Sequence, residues 1–265
     1  MKMECIIEYM QEEIKSYAYS EQRELKEINI LQTVKSIGTH AFYNCRNLRK
    51  ISLYDAIIDI GDGAFKNCYL LKEIDIIRIT NHTKTLKGIL SEVNNELTVT
   101  IHYNDGISKL IFPYYLYNYE ENTPARIVNQ ITEGSGIQYR ECVMGKDIDY
   151  VQYDKLFESG RHIDILDSAW KIACVRLKYP YKLSDAAKQQ YASYLEKECV
   201  HLINNMVELE KLNELKMLLD MDICSRDDLM KCIDNARANG QMEGLGILLA
   251  YQKEKYGTVG KKFEW

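Results

Sequence analysis

The sequence predicts an α+β protein: a short solenoid of parallel strands, capped by a β-hairpin, is followed by an all-α domain of helical repeats or a helix bundle. Three observations predict this class. A block of sequence recurs at a fixed interval, an alternating segment with a central Asp-Gly follows it, and the second half of the chain shows helical periodicity.

These signals divide the 265-residue chain, which is long enough for two domains, into four parts. We predict an N-terminal helical cap at residues 1–20 and a repeat domain with its hairpin cap at residues 21–112. An irregular connector rich in Tyr and Gly is expected at 113–152, and an α-helical domain at 153–265.

The repeat is carried by two segments, Ile37–Leu53 and Ile60–Ile76. They match at nine positions, which in the first segment are Ile37, Gly38, Ala41, Phe42, Asn44, Cys45, Leu48, Ile51 and Leu53. Leu25, Ile28 and Ile30 precede the last three of these by the same interval, so the end of an earlier unit is also present. Identity at a fixed period is typical of a solenoid, in which each unit covers the apolar face of its neighbour.

Each unit alternates like a short strand near its end. Ile51 and Leu53 are expected to point inward, and Lys50, Ser52 and Tyr54 outward. The Ala, Phe and Cys positions form the return path and are expected to stack on their counterparts in the next unit.

The repeat has a glycine position and an asparagine position that are expected at its chain reversals. Gly38 and Gly61 would permit a tight bend between the strand and the return path. Asn44 and Asn67 are expected to cap backbone groups at a bend, since a buried reversal must satisfy its own N–H and C=O groups.

The pattern I-G-x-x-A-F-x-N-C-x-x-L-x-x-I-x-L resembles the BspA-like bacterial leucine-rich repeat, over about residues 25–77. That family often has a Pro just after the strand, where this chain has Tyr54 and Ile77. The resemblance implies a parallel-stranded array that acts as a protein-interaction surface, and it brings no catalytic residues with it.

The ends of so short an array need covering. Ile6, Ile7, Met10 and Ile14 lie at helical spacing among charged residues, which predicts an amphipathic helix in front. Behind the array, Leu97–Phe112 alternates on both sides of Asp105-Gly106, which predicts an antiparallel hairpin cap.

The connector contains a cluster of tyrosines and a Gly-x-Gly sequence. Tyr114, Tyr115, Tyr117 and Tyr119 form either a contact surface or a packed seam between domains. Gly134–Gly136 is interpreted as a tight turn rather than a phosphate loop, because it lacks the remaining glycine and lysine positions of such loops.

Helical signals fill the rest of the chain. A helix is predicted to stop near Pro180, and Ser184 and Ser225 are predicted N-terminal caps. Leu212–Leu219 and Met242–Leu249 share their leucine spacing. This echo is similar to the outer half of an ankyrin repeat, with a plain helical bundle as the alternative.

Composition limits the function classes. A formal charge of −5 and a pI near 5.7 argue against a dominant nucleic-acid surface. The sequence contains no apolar run of about 18 residues, so no membrane span is predicted, and no signal peptide is expected. The eight scattered cysteines form no CxxC pair, so we expect a cytoplasmic protein with neither metal nor other cofactor.

No catalytic motif is found among the five scattered histidines, and the sequence contains neither His-Glu-x-x-His nor Gly-x-Ser-x-Gly. Cys142 beside Arg140 is the one candidate for a reactive thiol, and it lacks an identifiable histidine partner. We therefore predict a protein that is not an enzyme.

The strand face is the predicted partner-binding site. Its candidate residues are Lys50, Ser52, Tyr54, Glu73, Asp75 and Ile77. With Glu27, Asn29 and Leu31 they would form columns across the sheet, two of them polar and one apolar, which suits a protein partner better than a polyanion. The alternative is an enzyme or small-ligand-binding protein with its site in the groove between the two halves.

Overall fold

The computed structural model describes residues 3–6, 11–122, 127–160 and 167–257. Contacts divide the chain into two compact units, Met1–Ala187 and Lys188–Trp265. The first unit contains all the described strands, and the second is helical. The predicted α+β class, a solenoid followed by a helical region, is therefore confirmed.

The strands are β1 Met3–Ile6, β2 Glu13–Ile14, β3 Leu25–Asn29, β4 Ser36–Ile37, β5 Lys50–Tyr54, β6 Asp59–Ile60, β7 Glu73–Ile77, β8 Leu97–Tyr103, β9 Gly106–Phe112, β10 Leu116–Asn122 and β11 Ile127–Glu133. The helices are α1 Lys84–Glu92, α2 Gly136–Glu141, α3 Tyr150–Gly160, α4 Asp167–Lys178, α5 Asp185–Glu208, α6 Leu212–Leu219, α7 Arg226–Ala238 and α8 Met242–Tyr256.

The main sheet has the order β1-β3-β5-β7-β8-β9 and is parallel up to β8. Its register follows the period of the sequence repeat, because Ile28, Ile51 and Ile74 lie side by side and are buried. A second, narrow sheet, β2-β4-β6, places Ile14 beside Ile37 at the opposite wall. Three successive units therefore contribute one strand to each wall of the solenoid.

The interior contains an aromatic column and a thiol column. The Phe42 and Phe65 rings stack with centroids 5.3 Å apart, and Tyr19 stacks on Phe42 at the same distance. The thiols of Cys45 and Cys68 donate to the carbonyl oxygens of Tyr19 and Phe42, at 3.1 and 3.3 Å. The predicted stacking of equivalent positions is confirmed, and it buries both phenylalanines completely.

Asparagines lie at the bends, but their side chains form different hydrogen bonds from those expected. Asn44 and Asn67 have φ angles of 60° and 66°, a left-handed conformation that asparagine tolerates better than most residues. The Asn67 amide donates to Asn44 Oδ1 at 2.9 Å, so the two side chains form a ladder. Backbone capping is instead done by Asn95, whose Nδ2 donates to the carbonyl oxygens of Cys68, Tyr69 and Leu71.

The repeated glycine is needed for close approach between units. A Cβ added to Gly61 would lie 2.7 Å from the Gly38 carbonyl carbon and would collide with the backbone nitrogen of Thr39. Its φ is not left-handed, so the expected role in a tight bend is replaced by backbone-to-backbone packing.

Gly61→Ala is therefore expected to lower the free energy of unfolding by about 1–3 kcal/mol, because backbone atoms cannot move aside as a flexible side chain can. Urea denaturation measures the loss. Gly246→Ala is the control, since a Cβ there meets nothing within 4 Å and alanine favours its helix. An equal response of the two variants would contradict this role for Gly61.

The prediction of a helical cap at residues 1–20 is wrong for residues 3–6 and 11–20, which the structure describes. β1 pairs with β3, and Ile14 lies in β2, so this segment is an additional, diverged turn of the solenoid. Tyr19 takes the aromatic position, and the left-handed φ of Tyr17 recurs at His40, its equivalent in the next turn. Parallel pairing and stacking on the next turn override the helical spacing. Ile7 and Met10 lie outside the described residues.

The other end of the array is closed by α1 and by the predicted hairpin. β8 and β9 are antiparallel, and the turn consists of Asn104 and Asp105, with Gly106 starting β9. β8 itself pairs with β7 in parallel and so continues the array before the hairpin reverses it. Helix α1 is not predicted from the sequence. It takes the place of the return path, and its Leu86 and Ile89 are buried.

The connector is more regular than expected. β10 and β11 form an antiparallel hairpin, and α2 follows the turn at Gly134. Arg140 on α2 is buried and donates to the carbonyl oxygens of Val93, Asn95, Pro113 and Gly136. Its guanidinium lies 4.7 Å from the centre of the Tyr115 ring, so Tyr115 is a packed residue. Burial lowers the pKa of Arg140 to about 10, which leaves it charged at neutral pH.

α3 and α4 pack with the strands, whereas the sequence predicts a separate helical domain from residue 153. The Tyr153 hydroxyl donates to the Ile111 carbonyl oxygen at 2.6 Å and accepts from the Ile111 amide at 3.0 Å. α4 packs against β9 and buries Trp170. Arg176 on α4 pairs with Asp154 on α3 through two hydrogen bonds, at 2.8 and 2.9 Å. These contacts explain why the first unit extends to Ala187.

The second unit contains a repeated helical hairpin. Glu210 and Gly240 precede α6 and α8 with φ angles of 53° and 69°. The next amide bonds back to the end of the preceding helix in both cases, Lys211 to Met206 and Gln241 to Ala236. The N-terminal cap predicted at Ser225 is confirmed. A relation to ankyrin repeats stays a prediction.

Candidate functional site

The outward side of β5 and β7 brings all six predicted partner-binding residues together. Three cross-strand pairs hold them: Lys50 with Glu73, Ser52 with Asp75, and Tyr54 with Ile77. Because alternate residues of a strand point to opposite faces, these six share one side while Ile51 and Leu53 fill the core.

Neighbouring strands extend this surface on both sides. The strand face is defined here as Asn29, Leu31, Lys50, Ser52, Tyr54, Glu73, Asp75, Ile77 and His102. An open groove of about 450 Å³ runs along it. The groove is lined by Asn29, Ile30, Leu31, Ser52, Leu53, Tyr54, Asp75, Ile77 and His102. A rigid sheet therefore presents an accessible concavity whose floor belongs to the core.

The charges in the groove meet at Asp75. His102 Nε2 lies 2.7 Å from Asp75 Oδ1, and Lys50 Nζ lies 3.6 Å from Asp75 Oδ2. All three side chains are partly exposed, so water screens the Lys50–Asp75 ion pair, and it contributes little to stability. The arrangement orients the three side chains on the face and balances the carboxylate charge locally.

An apolar row runs beside these polar groups. Tyr54 lies next to Ile77, Leu31 lines the same groove, and Ile107 pairs with His102 at the far strand. Ile77 and Ile107 are 43% and 44% exposed, although both belong to well-formed strands. Apolar side chains grouped in this way on a surface mark interaction sites more often than isolated ones do.

His102 is the residue of the strand face that sequence reasoning misses. The alternation of Leu97–Tyr103 indicates only part of a cap, and the histidine counts as one of five scattered ones. β8 joins the parallel sheet at a longer interval than the repeat has, and this places His102 beside Ile77. The segment that contains α1 lengthens the interval between β7 and β8. Stepping along the sequence by the repeat length from Tyr54 and Ile77 therefore does not arrive at His102.

Other candidate chemistry finds no support in the described part of the chain. Cys142 is buried, and burial together with nearby Asp149 and Glu141 raises the pKa of its thiol to about 12, so it stays protonated. Among the described residues, no three His, Cys, Asp or Glu side chains are grouped as metal ligands. None of the described helices has both the length and the apolar character that crossing a bilayer requires.

Comparison with known proteins identifies the repeat type. A family model described as "BspA type Leucine rich repeat region" matches residues 6–122 in six copies. No curated protein and no solved structure gave a significant match. Repeats of this family are typically non-enzymatic, and leucine-rich repeats in general mediate contacts between proteins. The match extends beyond the two clear units on both sides and includes the diverged first turn and the hairpin. Residues 6–122 therefore match the BspA-type leucine-rich repeat.

Proposed function

We propose that this protein is a non-catalytic scaffold that binds a protein partner through its strand face. The observation that carries the proposal is an apolar row on a parallel sheet, in which Leu31 and Tyr54 are partly exposed and Ile77 is exposed. Solenoids use such repetitive strand surfaces for binding. The rest of the chain is interpreted as support for this face or as a further contact region.

The chemistry of the face favours a protein over other partners. Protein interfaces combine an apolar centre with a polar rim, and the row of Tyr54 and Ile77 beside Ser52, Asp75 and Lys50 has this composition. A polyanion would meet Asp75 and the exposed Glu73 in a chain of net charge −5. Nucleic acid is therefore not the proposed partner.

A cytoplasmic location is part of the proposal. Seven of the eight cysteines, those from Cys45 to Cys232, are free and buried. Free thiols persist in a reducing compartment, where a buried cysteine behaves as a small apolar residue.

Tyr54→Ala is expected to weaken partner capture about 30-fold, because a tyrosine at the centre of an interface often contributes ~2 kcal/mol to binding. The measurement is quantitative pull-down from the native host, followed by titration of the captured protein. Tyr54 is only partly buried, so the melting temperature should stay close to that of the wild type.

Tyr69→Ala is the matched control. Tyr69 belongs to the same solenoid, is 59% exposed and lies outside the strand face. This variant should capture the partner as the wild type does. Unchanged capture by Tyr54→Ala, or equal losses in both variants, would contradict the proposed face.

A further inference from the structure

A small cavity lies where β5 and β7 end and α1 begins. Its volume is about 10 Å³, and Ile76 and Leu86 contribute apolar wall atoms. Arg78 lines it too, together with three further polar residues, Asp55, His82 and Thr83. Buried polar residues are few in the solenoid, whose other buried positions are mostly apolar.

Each of these three residues has a buried polar atom without a partner in the described part of the chain: Asp55 Oδ2, His82 Nδ1 and Thr83 Oγ1. Asp55 and Thr83 are only 3% and 5% exposed. The other carboxylate oxygen of Asp55 is well used, because it accepts the amides of Ile79 and Thr80 at 2.8 and 2.9 Å. A buried carboxylate oxygen without a hydrogen bond is costly, so the cavity needs a donor.

Thr83 gives independent support for a ligand in this cavity. It occupies the N-cap position of α1, where a threonine hydroxyl normally accepts a bond from the first turn of the helix. Here its side chain makes no such bond, and its backbone has φ −116° and ψ 22°. The hydroxyl is therefore not used by the helix, and the residue lines the cavity instead.

We propose that this cavity binds a single water molecule. A volume near 10 Å³ corresponds to about one water, and buried waters typically make about three hydrogen bonds. The water would donate to Asp55 Oδ2. Its remaining positions suit Thr83 Oγ1 and His82 Nδ1, because a hydroxyl can donate or accept and an imidazole nitrogen does either according to its tautomer.

A metal cation fits the cavity less well. The Arg78 side chain also lines it, and its Nε lies 3.9 Å from Asp55 Oδ2. That guanidinium already compensates the carboxylate and would repel a second positive charge. Three side-chain ligands are also fewer than the six or more oxygens that Ca²⁺ takes.

The water would join the end of β5 to the start of α1. Asp55 directly follows Tyr54, and Arg78 directly follows Ile77, so the site fixes the ends of both central strands of the face. The inference concerns the architecture of this corner and holds whether or not the strand face binds a protein.

Two measurements on the full chain test the proposal. A crystal structure at a resolution that shows ordered waters is expected to contain density in this cavity within hydrogen-bond distance of Asp55 Oδ2, Thr83 Oγ1 and His82 Nδ1. Elemental analysis of the same protein should find no stoichiometric metal. Absence of that density, or density at metal–ligand distances with a bound metal, overturns the proposal.

The second measurement is thermal unfolding of Thr83→Val, which keeps the shape of the side chain and removes its hydroxyl. Loss of the bond to the water should lower the melting temperature by about 2–4 °C. Thr100→Val, on a partly exposed strand position, is the control and should change it little. A Thr83→Val protein at least as stable as the wild type overturns the proposal, because the hydroxyl would then have no bound partner.

Discussion

Arg176→Met is expected to lower the free energy of unfolding of the first unit by about 3–5 kcal/mol, because it leaves the Asp154 carboxylate buried without its partner. The Arg176 side chain has 0% exposure and holds both carboxylate oxygens of Asp154, and it also donates to the Tyr181 carbonyl oxygen at 3.0 Å. Urea denaturation followed by the fluorescence of buried Trp170 measures the loss.

Two further variants separate the buried charge from general disruption. Arg46→Met removes an exposed arginine of the same unit and should change stability by less than about 0.5 kcal/mol. Adding Asp154→Leu to Arg176→Met should recover part of the loss, because the buried carboxylate that has lost Arg176 is then removed as well. A loss of under about 1 kcal/mol for Arg176→Met would show that the pair does not hold α3 to α4.

Phe65→Ala is expected to cost a similar amount, about 3–5 kcal/mol, by opening a cavity in the aromatic column. The ring is fully buried and stacks on Phe42. Each turn of a solenoid contacts mainly its neighbours, so the loss of amide protection should concentrate in the turns on either side of Phe65. Denaturant titration and hydrogen exchange measure the two effects.

Leu70→Ala is the comparison for this variant, since Leu70 lies in the same turn and is 38% exposed. It should lose much less stability. If Phe65→Ala lost no more than Leu70→Ala, the stacked column would not be the main source of stability in the array.

The solenoid could be predicted from the sequence because its contacts are repeats of one another. Once Phe42 and Phe65 occupy the same place in two units, a stacked array puts them in contact, and the same reasoning fixes the pairing of Lys50 with Glu73. The six predicted partner-binding residues follow from the alternation of the strands and the repeat period. Their role in binding stays a prediction.

The parts of the fold that could not be predicted depend on contacts that do not recur from one repeat to the next. In the first turn, Tyr19 and Gln22 replace the Phe and Cys of the pattern, so the spacing there indicates a helix instead of a further unit. The packing of α2 depends on Arg140 reaching carbonyl oxygens that are distant in the chain. Such bonds leave no local signal, because an arginine in a short polar segment normally indicates a solvent-exposed position.

Tyr153 has a consequence for how molecules of this protein meet one another. β9 is the outermost strand on its side of the main sheet, and such a strand would ordinarily offer peptide groups to a second chain. By engaging both the amide and the carbonyl of Ile111, a single phenol takes the place that a foreign backbone would occupy. Strand pairing with a second chain is thereby blocked at Ile111.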